Sequence, residues 1–81
     1  MLIALPSSPA TEKAAVFLAA RGITHRVIPM PVELNYHNGA DVAIYLAPAD
    51  LPAGVDVAML LTKEKFVVMR VFKSFILPEE R

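Results

Sequence analysis

The stretch ITHRVIPMPVELNYHNGADVAIYL, residues 23 to 46, holds two alternating apolar runs separated by a polar loop. In the first, Ile23, His25 and Val27 alternate with Thr24, Arg26 and Ile28, the period of two that a strand requires. Pro29 and Pro31 lack the N–H that an interior strand must donate, so this strand belongs at the edge of a sheet. The second run, Asp41 to Leu46, puts Val42, Ile44 and Leu46 on one face and Asp41, Ala43 and Tyr45 on the other. Between the runs lies Asn38-Gly39, a strong hairpin-turn signal because a type I′ turn needs positive φ at both central residues. The expectation is a turn with positive φ at Gly39 and a solvent-facing His37 that holds no metal.

On the N-terminal side, Leu2 to Leu5 is a short apolar run closed by PSSP, which suits a buried strand feeding a helix. Ser7 or Ser8 caps that helix, Pro9 falls in its first turn and Gly22 stands at the left-handed C-cap position. Ala10, Ala14, Phe17, Leu18 and Arg21 recur at helical spacing, with Phe17 and Leu18 toward the core and Glu12 and Lys13 outside. Val16, Ala19 and Ala20 leave the back of the helix poor in charge.

On the C-terminal side, residues 50 to 65 read as a second helix, with Asp50 as N-cap, Pro52 in the first turn and Lys63 and Lys65 in the last. FVVMRVF, Phe66 to Phe72, reads as a strand apolar on both faces apart from Arg70. The order strand, helix, strand, strand, helix, strand is the split βαβ pattern of a ferredoxin-like α+β sandwich, an antiparallel sheet with two helices on one face. The second and last strands are then its edges. The domain spans residues 1–73, and residues 74–81 form a tail whose FIL needs a surface to cover it.

Composition narrows function mainly by exclusion. With no Cys among 81 residues, disulfides, thiolate chemistry and Cys-based metal or cluster sites are ruled out. Eight basic residues balance eight acidic ones, and no run of Lys or Arg offers a track for phosphates, so nucleic acid is not an expected partner. Apolar stretches such as AAVFLAA are too short to span a bilayer. MLIALPSSPATEK has no basic n-region and its apolar run ends at Pro6, so a signal peptide is not read and a cytoplasmic location is expected.

GxGxxG, Walker A, HExxH and GxSxG are absent, and His25, the only histidine besides His37, sits on a strand among apolar neighbours with no acid at ligand spacing. No enzyme, cofactor or metal site is therefore expected. Arg26, Glu33, Tyr36, His37 and Asn38 make a candidate polar pocket, since the fork of Arg26 suits a carboxylate or a sulfur oxyanion. On an edge strand the same arginine also discourages unwanted pairing.

FLAARGITHRVIPMPVELNYHNG, residues 17 to 39, resembles a family of small prokaryotic selenium or sulfur carrier-like proteins. Such proteins are similar in a capped helix ending xxxG[IV], a strand of the form xRxIPxP, an acidic residue and a polar loop closed by Cys-Gly. The matching positions are Phe17, Leu18, Gly22, Ile23, Arg26, Ile28, Pro29, Pro31, Glu33 and Gly39. The family's cysteine falls on Asn38, and a carrier of persulfide or selenide needs a nucleophilic sulfur that an amide cannot replace. The resemblance thus implies the scaffold without the carrier chemistry.

The expected function is a non-catalytic accessory module that binds a partner protein or a second copy through an apolar surface. Helices on one sheet face leave the other face wet unless a partner, a second copy or the tail covers it. Phe66, Val68, Phe72, Phe75, Ile76 and Leu77 are the residues expected to form that surface.

Overall fold

A computed structural model describes all of residues 1–81. The fold is α+β, with β1 (Leu2–Ala4), α1 (Ser8–Ala20), β2 (Arg26–Pro29), β3 (Val42–Tyr45), α2 (Val57–Lys63) and β4 (Arg70–Phe72) in chain order. The strands form one four-stranded sheet in the order β2-β3-β1-β4, antiparallel at every neighbouring pair. This is the ferredoxin-like order, with β2 and β4 at the margins. The edge position inferred from Pro29 and Pro31 agrees with it.

Helix α1 begins where its sequence dictates. The Ser7 side-chain oxygen accepts from the Ala10 N–H at 3.2 Å, and Pro9 lies in the first turn, where its missing N–H costs nothing. Thr11, Ala14 and Leu18 are fully buried against the sheet, and the Thr11 hydroxyl is satisfied by donating to the Ser7 carbonyl at 2.8 Å. Gly22, at φ +70, closes the helix, with its N–H on Ala19 and that of Ile23 on Leu18.

The core of this side joins both helices to one face of the sheet: Ile3, Leu5, Ile44 and Leu46 meet Ala14 and Leu18 of α1 and Val57 and Leu61 of α2. The expected two-faced pattern of β3 is thus observed. Ile44 and Leu46 face the helices, whereas Ala43 and Tyr45 enter a second cluster with Leu2, Ile28 and Phe75.

That second cluster lies on the face of the two-layer sandwich opposite its helices. Residues 74–81, expected as a tail, turn back under the sheet and lay Phe75 and Leu77 on the face opposite the helices, where Met30, Leu34 and Phe72 also pack. Phe75 is 7% exposed and meets Tyr45 edge-to-face, with ring centroids 5.9 Å apart. The Tyr45 hydroxyl donates to the Glu80 carboxylate and accepts from the Leu77 N–H. Burial, reinforced by that bond to Glu80, pushes the Tyr45 pKa above its ordinary value. The terminal amine of Met1 donates to the carbonyls of Leu46 and Phe75, joining β1, β3 and the C-terminal segment. Two exposed ion pairs, Arg26 with Glu79 at 2.8 Å and Arg81 with Glu33 at 3.3 Å, tie the segment to its surroundings but, being screened by water, add little to stability. Of the three covers expected for this sheet face, a partner, a second copy or the tail, it is the chain's own tail that lies on it.

Several local expectations are corrected. The first edge strand pairs only over Arg26–Pro29; Ile23 packs on the helix-side core, and His25, ahead of the strand, sets Nδ1 2.9 Å from the Ile23 carbonyl. The helix expected over 50–65 is confined to Val57–Lys63 and is capped by Asp56, not Asp50. The Asp56 side chain accepts from the Met59 N–H at 3.2 Å, while Gly54, at φ +72, turns the chain before it. A second cap close to a conformation only Gly adopts easily starts the helix late.

The strand expected over Phe66–Phe72 joins the ladder only at Arg70–Phe72, and its side chains do not share one face. Phe66 and Val68 pack toward the helices, whereas Phe72 packs in the opposite layer. Strict alternation would keep Val68 and Phe72 on the same side, so the register shifts by one residue between them. The Met69 N–H reaches the Ala4 carbonyl although Arg70 is the residue opposite Ala4, and one extra residue at this point suffices to reverse the facing of β4.

Candidate functional sites

The polar loop does not form a two-residue turn. The connection from β2 to β3 runs through a 3-10 turn at Val32–Leu34 and a left-handed Asn35 at φ 49, and Gly39 does not have positive φ. The glycine is required for a different reason. A Cβ built at position 39 would lie 2.7 Å from the Leu5 carbonyl oxygen, the same oxygen that accepts the Ala40 N–H at 3.0 Å. The close backbone approach, and not the torsion, excludes a side chain there.

Beside this loop is a cavity of about 190 Å³ lined by Met30, Pro31, Val32, Tyr36, His37, Gly39, Ala40 and Asp41. It falls below the roughly 300 Å³ at which small-molecule pockets usually begin. His37 is exposed and its Nε2 lies 3.2 Å from the Asn35 amide oxygen. No three His, Asp or Glu side chains come together as metal ligands.

Only two of the five residues expected to build a polar pocket therefore line this cavity, Tyr36 and His37; Asn38 is exposed beside them. Glu33 is turned toward Arg81. Arg26 sits at the far end of β2, about 10 Å along the strand at roughly 3.3 Å per residue, and is held by Glu79. That hydrogen bond raises the pKa of its guanidinium. The five residues are close in sequence, but the strand and its paired carboxylates separate them in space.

The six residues expected to form an association surface are likewise divided. Phe75 is buried in the second cluster, Phe72 and Leu77 pack against it, and Phe66 and Val68 pack against the helix-side core. Ile76 is half-buried. They do not make one open patch.

What remains open is the margin of the sheet at β4. Val67 is 61% exposed and Met69 43% exposed, just ahead of a strand whose outer side has no partner. The two margins are not alike. Pro29 and Pro31, together with the Arg26–Glu79 pair, guard β2, and these are common devices against edge-to-edge pairing. Residues 66–72 contain no proline and only one charge, Arg70. The guanidinium of Arg70 lies 4.9 Å from the centre of the Phe72 ring, which stands edge-to-face with Tyr36 at 5.7 Å between centroids.

Next to β4 runs an open groove of about 490 Å³, larger than the loop cavity, lined by Glu33, Leu34, residues 70 to 75 and Arg81. Sequence reasoning missed this groove, although Lys65, Arg70 and Lys73 on a stretch without acids were visible. No helix is long and apolar enough to cross a membrane. Compared with known protein families, curated proteins and solved structures, the chain finds no match.

Proposed function

We propose that this chain is a non-catalytic accessory module that binds a protein partner by adding a strand to the open margin at β4, a cysteine-less relative of the selenium or sulfur carrier-like proteins. The observation that carries the reading is the asymmetry of the two sheet margins: β2 is guarded by prolines and an ion pair, while the approach to β4 presents Val67 and Met69 beside an unpartnered strand. An unguarded apolar edge is a template for strand addition, in which main-chain hydrogen bonds supply affinity and alternate side chains supply selectivity. Asn38 in place of the family's cysteine removes the nucleophile from the loop.

Site-specific photo-crosslinking in the native cell tests the reading. A photoreactive residue at position 67 should give a discrete adduct, while the same residue at Met59, exposed on α2, or at Val27, exposed on β2, should not. Adducts from positions 59 or 27 with none from 67 would place the association elsewhere and reject the β4 margin.

A further inference from the structure

We infer that the segment docked at the β4 margin is an extended apolar strand bordered by carboxylates. The inference rests on the docking reading above and adds the chemistry of the partner. From Lys65 to Leu77 the chain carries Lys65, Arg70 and Lys73 and no Asp or Glu, although its overall charge is zero. Elsewhere all three arginines are matched, Arg21 with Glu64 at 3.4 Å, Arg26 with Glu79 and Arg81 with Glu33, whereas Lys13 and Lys63 on the helices are not. No ion pair includes Lys65, Arg70 or Lys73. Arg70 and Lys73 are exposed and line the groove beside β4 together with Val71 and Phe72.

An added strand places its side chains about 5 Å from those opposite, where unlike charges attract and like charges repel. A carboxylate of the incoming segment thus meets Arg70 in the ladder or Lys73 just past it, while its apolar residues meet Val71 and Phe72 and the exposed Val67 and Met69 ahead of the strand. A second copy of this chain fits poorly, because its own β4 segment brings the same three cations and no carboxylate. Charge complementarity therefore selects a different chain with acidic borders.

The test is selection of random short peptides displayed on phage against the whole chain and, separately, against the Arg70→Glu, Lys73→Glu double variant. Both positions are exposed, so the variant should keep the fold, which circular dichroism checks before selection. The native chain should enrich apolar, β-branched or aromatic runs flanked by Asp or Glu, and the double variant runs flanked by Lys or Arg. Exchanging the acidic flanks of a selected peptide for Gln should weaken its binding on the order of tenfold at low salt. Peptides that shift the amide resonances of residues 66–72 without charge bias, or with a bias the double variant fails to reverse, would overturn the acidic partner and leave strand docking standing. If no enriched peptide moves those resonances, both fall.

Discussion

Replacing Phe75 with alanine is expected to destabilise the fold by about 3–5 kcal/mol, the usual cost of deleting a buried aromatic side chain. The ring is 7% exposed, lies edge-to-face on Tyr45 and anchors the layer that covers Leu2, Ala43 and Ile28. A chain of this size has a total stability of roughly 4–12 kcal/mol at typical values per residue, so this one substitution removes a large share of it. Phe75→Leu keeps most of the volume and loses only the aromatic geometry, and should be milder. Ending the chain at Ser74 removes Phe75, Leu77 and the Tyr45–Glu80 bond together and bares an apolar sheet face. That variant should bind hydrophobic dye or aggregate where the full chain does not. Urea denaturation of the two point variants decides the matter: a cost below about 0.5 kcal/mol for Phe75→Ala, the range of ordinary surface changes, would mean that residues 74–81 are not part of the fold.

The second large effect is expected at Gly39. Gly39→Val puts a branched side chain where even a Cβ would stand 2.7 Å from the Leu5 carbonyl oxygen, and that neighbour is backbone of the segment joining β1 to α1. Relief requires the loop to withdraw, which breaks the 3.0 Å hydrogen bond from Ala40 to the same oxygen. Overpacking and the lost bond together give a cost of about 2–4 kcal/mol. His37→Ala, two residues away but exposed, should change stability by less than about 0.5 kcal/mol. Gly39→Ala separates close approach from torsion: with φ outside the left-handed region, a penalty there comes from contact with Leu5 alone. If His37→Ala proved the more damaging substitution, the loop would have to be reconsidered as a site.

The parts of this fold legible in the sequence are those set by local chemistry. Ser7, Pro9 and Gly22 bracket α1 because capping and left-handed closure are properties of those residues themselves. Pro29 and Pro31 assign β2 to an edge because a missing donor is missing in any context. The two-faced alternation of β3 likewise survives, since both faces turn out to be covered. The misreadings arise where two segments distant in sequence meet. Gly39 is explained by Leu5, 34 residues earlier, and no turn preference can reveal that approach. The shift near Met69 reverses the facing of Phe72, so a surface drawn by strict alternation dissolves into two layers. The residues of the candidate pocket are drawn apart because Arg26 and Glu33 find carboxylate and guanidinium partners in the C-terminal segment, a pairing that depends on the segment folding back.

The central claim is that the chain covers its own second sheet face and leaves the β4 margin open, and one measurement reads both halves. With a soluble paramagnetic agent, the signals of Val67 and Met69 should be strongly attenuated, whereas those of Ala43, Tyr45 and Phe75 should be nearly untouched, in keeping with exposures of 61% and 43% against 0%, 1% and 7%. Attenuation of Ala43, Tyr45 and Phe75 equal to that of Val67 and Met69 would contradict the account, because the sheet face would then be open and the C-terminal segment would not be its cover.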